Sequence, residues 1–211
     1  MTIGAMHSPT FDFVYLASQS PRRARLLDQL GIAHRPLLAA RRENAERLEE
    51  ERSNESPSDY VRRVTLAKLL AARQRLAMRG LPAAPILTAD TTVALGRRIF
   101  GKPRDEADAA ATLQALSGRW HKVLTAVAVS HGRESLLALS VSRVRFADLS
   151  QRVIDHYIAS GEPFGKAGAY AVQSPIAAWI ERVEGSYSGI MGLPLFETRE
   201  LLARARVRSA A

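Results

Sequence analysis

Apolar runs typical of β-strands alternate with segments of helical periodicity along the whole of this 211-residue chain. The clearest pair stands near the start, where residues 14–18 predict a buried strand and residues 21–30 predict a helix. Ser20 suits the N-cap of that helix, Pro21 its first turn and Gly31 its exit. Because such alternation is typical of helices packed on a sheet, we predict an α/β fold with a mixed sheet.

The rest of the chain continues this alternation. Alternating apolar positions on both sides of His131 and Gly132 predict a β-hairpin. A polar ADTT stretch interrupts the predicted strand 86–95, and residues 41–58 are strongly charged and loop-like, with room for some helix. The other predicted elements are strands 34–38, 120–130, 136–146 and 177–183, helices 59–79, 105–116, 150–160 and 194–204, a hairpin or loop at 96–103 and a loop at 161–173.

No linker divides the chain, so we predict a single domain over residues 1–211 with a flexible N-terminus at residues 1–12. We expect two lobes that face each other across a cleft, divided near Gly118, with the C-terminus returning to the first lobe. The absence of cysteine excludes disulfides and thiolate metal sites. Since the sequence has neither a signal peptide nor an apolar run long enough to span a membrane, we expect a cytoplasmic protein without membrane partners.

The net charge of +9 raises the question of a nucleic-acid partner. The basic residues are scattered through every segment, and no basic stripe is interleaved with aromatic side chains. Nucleic-acid binding is therefore not favoured, whereas binding of a small anionic molecule fits the charge as well.

Two arginines, Arg22 and Arg23, fall in the first turn of the predicted helix 21–30. That end of a helix carries partial positive charge and unpaired N–H groups, so cations there repel it. A bound phosphate chain would reconcile the two, because the arginines and the helix amides would share it, with hydroxyl groups from Ser18 and Ser20. The alternative is a pair of solvated surface arginines.

Asp90 lies inside the otherwise apolar run 86–95. A carboxylate buried there is unfavourable unless it is paired or bound to a cation, so Asp90 is a candidate metal ligand or general base. The alternative is a turn aspartate that caps backbone N–H groups. Two glycine-containing loops add Lys102 and Gln173 as candidates, although neither loop matches a P-loop or a dinucleotide-binding fingerprint.

Five stretches together resemble the Maf family of nucleotide pyrophosphatases. They read LASQSPRRARLLDQLGI, TADTTVAL followed by GKPRD, LSGRWHKVLTAVAV, GEPFGKAGAYAVQ and GSYSGIMGLPLFET. The resemblance runs from about residue 14 to residue 202, and the pattern looks like the branch that acts on dTTP and UTP.

The resemblance implies an elongated mixed sheet with flanking helices and two lobes around a central cleft, as in the inosine triphosphate pyrophosphatases. It also implies hydrolysis of nucleoside triphosphates, with dTTP, UTP and modified relatives as substrates, between the α and β phosphates. A divalent metal cation, Mg²⁺ or Mn²⁺, is the implied cofactor, and a homodimer is the expected assembly.

The family's functional positions can be carried over one residue at a time. Asp90 matches the general base and a metal ligand. The positions that set the choice of nucleotide match Arg23, Thr91 and Gln173. The positions that contact phosphate match Ser18, Arg22, Lys68 and Lys102.

Two departures from the family pattern stand out. An acidic pair is expected after the second strand, but counting without gaps from Leu30 and Gly31 places Arg42 on the first acid and Glu43 on the second. Glu43 is thus the second candidate metal ligand. Ser174 and Pro175 replace a usual glycine. The departure at Arg42 keeps open a weakly active, nucleotide-binding regulator, and the net charge keeps open a nucleic-acid-binding protein.

Overall fold

A computed structural model describes residues 10–40, 43 and 48–209 of the chain. Six helices and seven strands follow one another within this part. The helices are α1 (Pro21–Gln29), α2 (Pro57–Met78), α3 (Glu106–Leu116), α4 (Gln151–Ala159), α5 (Tyr187–Met191) and α6 (Leu195–Arg204). The strands are β1 (Val14–Leu16), β2 (His34–Pro36), β3 (Ile86–Leu95), β4 (Arg98–Phe100), β5 (Trp120–His131), β6 (Glu134–Phe146) and β7 (Ile180–Glu184).

The strands form one sheet in the order β2-β1-β3-β5-β6-β7, with β4 paired to β3 beside this path. Strand β1 is parallel to β2 and β3, and all other pairs are antiparallel. The predicted α/β class with a mixed sheet is therefore confirmed. The division into two lobes near Gly118 stays a prediction. Among the described residues, no helix is long and apolar enough to cross a membrane.

The two faces of the sheet are covered differently. The long helix α2 covers one face, where Val61 and Leu69 join buried cores with alternate residues of β3 and β5. Helices α1 and α6 cover the opposite face through Leu27 and Leu201, and α3 and α4 continue that layer. Because side chains alternate along a strand, even-numbered residues of β3 point toward α2 and odd-numbered residues toward α1.

Strand β3 is continuous from Ile86 to Leu95, so the predicted interruption at ADTT is wrong. The interruption lies in its neighbours. On one edge β3 pairs with β5 from Leu87 to Ala94, whereas on the other edge β1 reaches only Leu87 and β4 begins at Val93. The segment 88–92 therefore lacks a strand partner on this edge within the described residues. We call it the open edge of β3.

Two local differences from the sequence-based expectation lie near the C-terminus. A 3₁₀ helix, Pro175–Trp179, takes the start of the predicted strand 177–183, so β7 begins only at Ile180. The short helix α5 was not predicted, because five residues are too few to show helical periodicity. Ser186 caps it by accepting a hydrogen bond of 3.0 Å from the N–H of Gly189.

A ladder of ion pairs joins the segment before α2 to the helix itself. Glu55 pairs with Arg63 at 2.6 Å, Glu49 with Lys68 at 2.8 Å and Glu43 with Arg75 at 2.6 Å. The acids run backwards in sequence while the bases run forwards, so the described residues of this segment are arranged antiparallel to α2. This arrangement brings Glu49 to the middle of the helix.

Candidate active site

The open edge of β3 presents two polar neighbours to opposite faces of the sheet. Asp90 points toward α2, where it is only 8% exposed, and Thr91 points toward α1 and α5. Since β1 ends at Leu16, the chain leaves the sheet just before Ser18 and starts α1 beside this edge. A ligand at the edge can therefore reach both faces.

On the α2 face, Glu49, Lys68, Asp90 and Lys102 form what we call the carboxylate–lysine cluster. The Lys68 ammonium donates to Asp90 Oδ1 at 2.6 Å and to Glu49 Oε1 at 2.8 Å. Lys102 Nζ donates to Glu49 Oε2 at 2.9 Å. Both carboxylates thus lie within hydrogen-bonding distance of one ammonium, which offsets the cost of burying Asp90 in an apolar strand.

Glu49 is ionised at neutral pH although it is partly buried. Burial alone would raise the pKa of this carboxyl, but attraction and hydrogen bonds from Lys68 and Lys102 outweigh it and hold the pKa below its usual value. The cluster therefore consists of two lysines paired with two carboxylates. A bound cation would attract the carboxylates and a bound anion would attract the lysines, so either ligand could exchange the present partners.

On the opposite face, Arg23 is the centre of a second set of hydrogen bonds. Its Nε donates to the carbonyl of Gly192 at 2.8 Å, Nη1 to Ser18 Oγ at 3.1 Å and Nη2 to Thr91 Oγ1 at 3.4 Å. Thr91 Oγ1 lies 2.9 Å from Thr125 Oγ1, which donates to the carbonyl of Gly189 at 2.7 Å. We call this chain from Arg23 through Thr91 and Thr125 the hydroxyl relay.

The position of the two arginines has a structural explanation. Arg22 Nε donates to the carbonyl of Met191 at 3.3 Å, beside the bond from Arg23 to Gly192. Carbonyls at the C-terminal end of a helix lack intrahelical partners, so both arginines cap the end of α5 from the first turn of α1. Both side chains are partly buried, and each guanidinium keeps N–H groups that make no hydrogen bond to a described residue.

The start of α1 remains available to a ligand. Ser20 occupies the N-cap position as predicted, but its side chain makes no capping hydrogen bond. Within the described residues, the first-turn amides of α1 thus have no side-chain partner. Burial lowers the pKa of Arg23, while the negative charges of Asp90 and Glu49 offset part of that effect across the edge. Carboxylates on the α2 face therefore act electrostatically on Arg23, which lies on the α1 face.

Two predicted site residues have no hydrogen bond to either of these clusters. Glu43 pairs with Arg75. Hydrogen bonds from Arg75 and from the Ala40 N–H lower the pKa of Glu43 to about 2. Arg75 follows Lys68 by two turns of α2, roughly 10 Å along the helix. Gln173 is exposed, and its side chain makes no hydrogen bond to any described residue. Arg42 lies outside the described residues.

Sequence reasoning missed two members of these clusters. Glu49 is one of three consecutive glutamates before α2, and nothing in that run distinguishes it from its neighbours. Thr125 had a signal, because it is a hydroxyl residue inside the apolar run 123–129, as Asp90 is a carboxylate inside β3.

The donor set fits a loosely held divalent cation. No group of three or more His, Asp, Glu or Cys side chains in the described residues is arranged to hold a metal. Mg²⁺, however, is commonly bound by one or two carboxylates and completes its shell with water and substrate phosphates. Asp90 and Glu49, bridged by one ammonium, match that requirement.

Comparison with known proteins adds family information to this geometry. Residues 13–205 match the family described as Maf-like protein. A relative in Albidiferax ferrireducens is 60% identical over 90% of this chain and 96% of its own length. Relatives in a Polaromonas species and in Burkholderia pseudomallei are 57% and 56% identical, each over 95% of this chain, and cover 99% and 97% of their own lengths. All three are named dTTP/UTP pyrophosphatase.

Proposed function

The chain belongs to the Maf family, and from this premise we propose that it hydrolyses dTTP and UTP, and modified relatives of these, to the monophosphate and pyrophosphate. The observation that carries the proposal is the open edge of β3. It brings a pair of carboxylates with two lysines next to a helix N-terminus flanked by two arginines. A triphosphate needs positive charge along its length, and the water that attacks it needs a base beside it.

The phosphate chain would lie along the open edge. The first-turn amides of α1, the Ser18 hydroxyl and the guanidinium of Arg22 offer donors at one end. Lys68 and Lys102 offer ammonium groups at the other. Phosphoryl transfer depends mainly on positioning and charge neutralisation, which these groups provide together.

Asp90 is the proposed general base. Its carboxylate takes a proton from the attacking water, whose oxygen bonds to the α phosphorus. The bond from that phosphorus to the bridging oxygen breaks, and pyrophosphate leaves with the bonding electrons. Lys68 occupies Oδ1 of Asp90, so Oδ2, which has no hydrogen bond to a described residue, is the oxygen that can take the proton.

Asp90 and Glu49 are the residues that would hold a divalent cation, Mg²⁺ or Mn²⁺. Such a cation supplies a more acidic water and positive charge at the phosphates. Glu43 as a metal ligand stays a prediction from the sequence. Glu49 is favoured in that role because it shares the Lys68 ammonium with Asp90, whereas Glu43 pairs with Arg75. The assignment of Glu43 came from counting residues from Gly31 without gaps. That count does not allow for extra residues in the segment before α2.

The base is proposed to meet Gln173, Arg23 and Thr91. The amide N–H of Gln173 can donate to O4 of uracil and thymine, while the adjacent N3–H needs an acceptor such as Thr91 Oγ1. A carboxylate in place of the amide could only accept, which fits the adjacent N1–H and N2–H donors of guanine better than O4 of uracil. The exposed Gln173 side chain has no described partner that would compete with a nucleotide.

The direct test is pyrophosphate release with Mg²⁺ from UTP, dTTP, CTP, GTP and ATP. We expect UTP and dTTP to give the highest kcat/KM. A protein whose melting temperature rises with UTP but which releases no pyrophosphate from any triphosphate would instead be a nucleotide-binding regulator. Steeply salt-dependent binding to duplex DNA that UTP does not displace would favour the nucleic-acid alternative.

A further inference from the structure

Thr125 lies at the centre of the hydroxyl relay although it faces no open space. It is 1% exposed, on β5, directly across from Thr91 in the strand register. Its Oγ1 lies 2.7 Å from the carbonyl oxygen of Gly189 and 2.9 Å from Thr91 Oγ1. It thus connects the open edge of β3 to helix α5.

The direction of every proton in the relay follows from its two ends. The carbonyl of Gly189 can only accept, so the single hydroxyl proton of Thr125 points to it. Thr125 can then only accept from Thr91, which commits the Thr91 proton as well. The guanidinium of Arg23 can only donate, and the lone pairs of Thr91 accept from it.

This ordering limits what Thr91 offers to a nucleotide. Because its one proton is committed to Thr125, any hydrogen bond between Thr91 and a substrate must be donated by the substrate. The N3–H of uracil or thymine is such a donor, whereas N3 of cytosine is an acceptor and would face the Thr91 lone pairs unpaired.

We propose that Thr125 is a positioning residue that holds Thr91 as an acceptor, and that it thereby selects pyrimidine bases with an N3–H group over cytosine. The proposal rests on the proposed function, since it concerns the nucleotide that the same edge binds. Thr125 itself touches no substrate. It acts on the substrate only through Thr91, because it accepts the Thr91 hydroxyl proton and so fixes its direction.

The test compares kcat/KM for UTP and CTP in the wild type and in Thr125→Val, which keeps the shape of the side chain but loses the hydroxyl. With its acceptor gone, the Thr91 hydroxyl can turn and donate to N3 of cytosine. We expect the UTP/CTP ratio to fall by roughly 5- to 10-fold, the worth of one hydrogen bond. Thr198→Val removes another fully buried hydroxyl, one without a hydrogen-bond partner in the described structure, and is expected to leave the ratio unchanged.

A second pair of variants isolates the hydroxyl if the valine variant does not fold. Thr125→Ser and Thr125→Ala both lack the methyl group and differ only in the hydroxyl. We expect the serine variant to keep the wild-type ratio and the alanine variant to lose it. Equal losses on UTP and CTP, or the same ratio in both variants, would overturn the inference. A wild type without any preference for UTP would overturn the proposed function instead.

Discussion

The two faces of the open edge of β3 hold their polar groups in different ways. On the α2 face, the carboxylate–lysine cluster consists of charged side chains that pair with one another. On the α1 face, the hydroxyl relay ends on the carbonyls of Gly189 and Gly192, which cannot move without α5. The first arrangement must exchange partners when a charged ligand arrives, whereas the second can persist unchanged. We infer that one face performs the chemistry and the other selects and orients the substrate.

The largest effect is expected from Asp90→Asn, which keeps the size of the side chain but removes the proton acceptor. We expect kcat with UTP to fall on the order of 10²–10⁴-fold, the usual span for general base catalysis, in a protein that still folds. Asp108→Asn changes a carboxylate that pairs with Arg104 on the surface and serves as the control. Near-normal turnover in folded Asp90→Asn would remove Asp90 from the mechanism.

The next effect separates Glu49 from Glu43, since both are ion-paired glutamates before α2. Glu49→Gln is expected to raise the Mg²⁺ concentration for half-maximal activity by about tenfold or more, because a carboxylate beside the cation is lost. Glu43→Gln should leave that concentration unchanged while lowering the melting temperature slightly. The proposed metal position is measured independently by Mn²⁺ binding in the absence of nucleotide. The reverse order of the two variants would assign the metal to Glu43.

The third prediction concerns the α1 face. Pyrophosphate with Mg²⁺ should raise the melting temperature, since a ligand that binds only the folded state stabilises it. Replacing Arg22 and Arg23 with alanine should remove most of that rise. The comparison uses the rise rather than the melting temperature itself, because both arginines also cap α5. The double variant of the exposed Arg25 and Arg152 matches the change in charge, and an equal loss of the rise in both would reduce the effect to net charge.

The smallest effect is expected at Gln173. Gln173→Glu places an acceptor against O4 of uracil, so the UTP/GTP ratio of kcat/KM should fall by roughly tenfold, about one lost hydrogen bond. Gln114→Glu on the exposed side of α3 introduces the same charge elsewhere. If Gln173 only fastens its glycine-rich loop, activity on all triphosphates will fall by a similar factor.

Much of the fold was accessible from the sequence because it depends on local signals. The start of α1 after Ser20 and the hairpin around Gly132 each follow from residues close in sequence. The continuity of β3 was not accessible, since Asp90 and its polar neighbours look like a break in an apolar run. Only the lengths of the partner strands show that the strand continues while one edge stays open.

The site was accessible in part for the same reason. Asp90, Lys68 and Lys102 were found as separate positions, but their meeting through Glu49 depends on how the segment before α2 folds back. Thr91 was found through the family resemblance, whereas Thr125 gains its role only from the register between β3 and β5. Contacts between residues on different strands and loops cannot be predicted from any one stretch of sequence.

The ion-pair ladder along α2 has a consequence for how the site can rearrange. Its bases, Arg63, Lys68 and Arg75, are separated by roughly 7 and 10 Å along the helix axis. The three pairs share no side chain with one another, because each acid meets a different base of α2. A phosphate chain that draws Lys68 away from Glu49 therefore opens the middle pair alone. We expect the pairs of Glu55 with Arg63 and of Glu43 with Arg75 to hold while the middle pair opens.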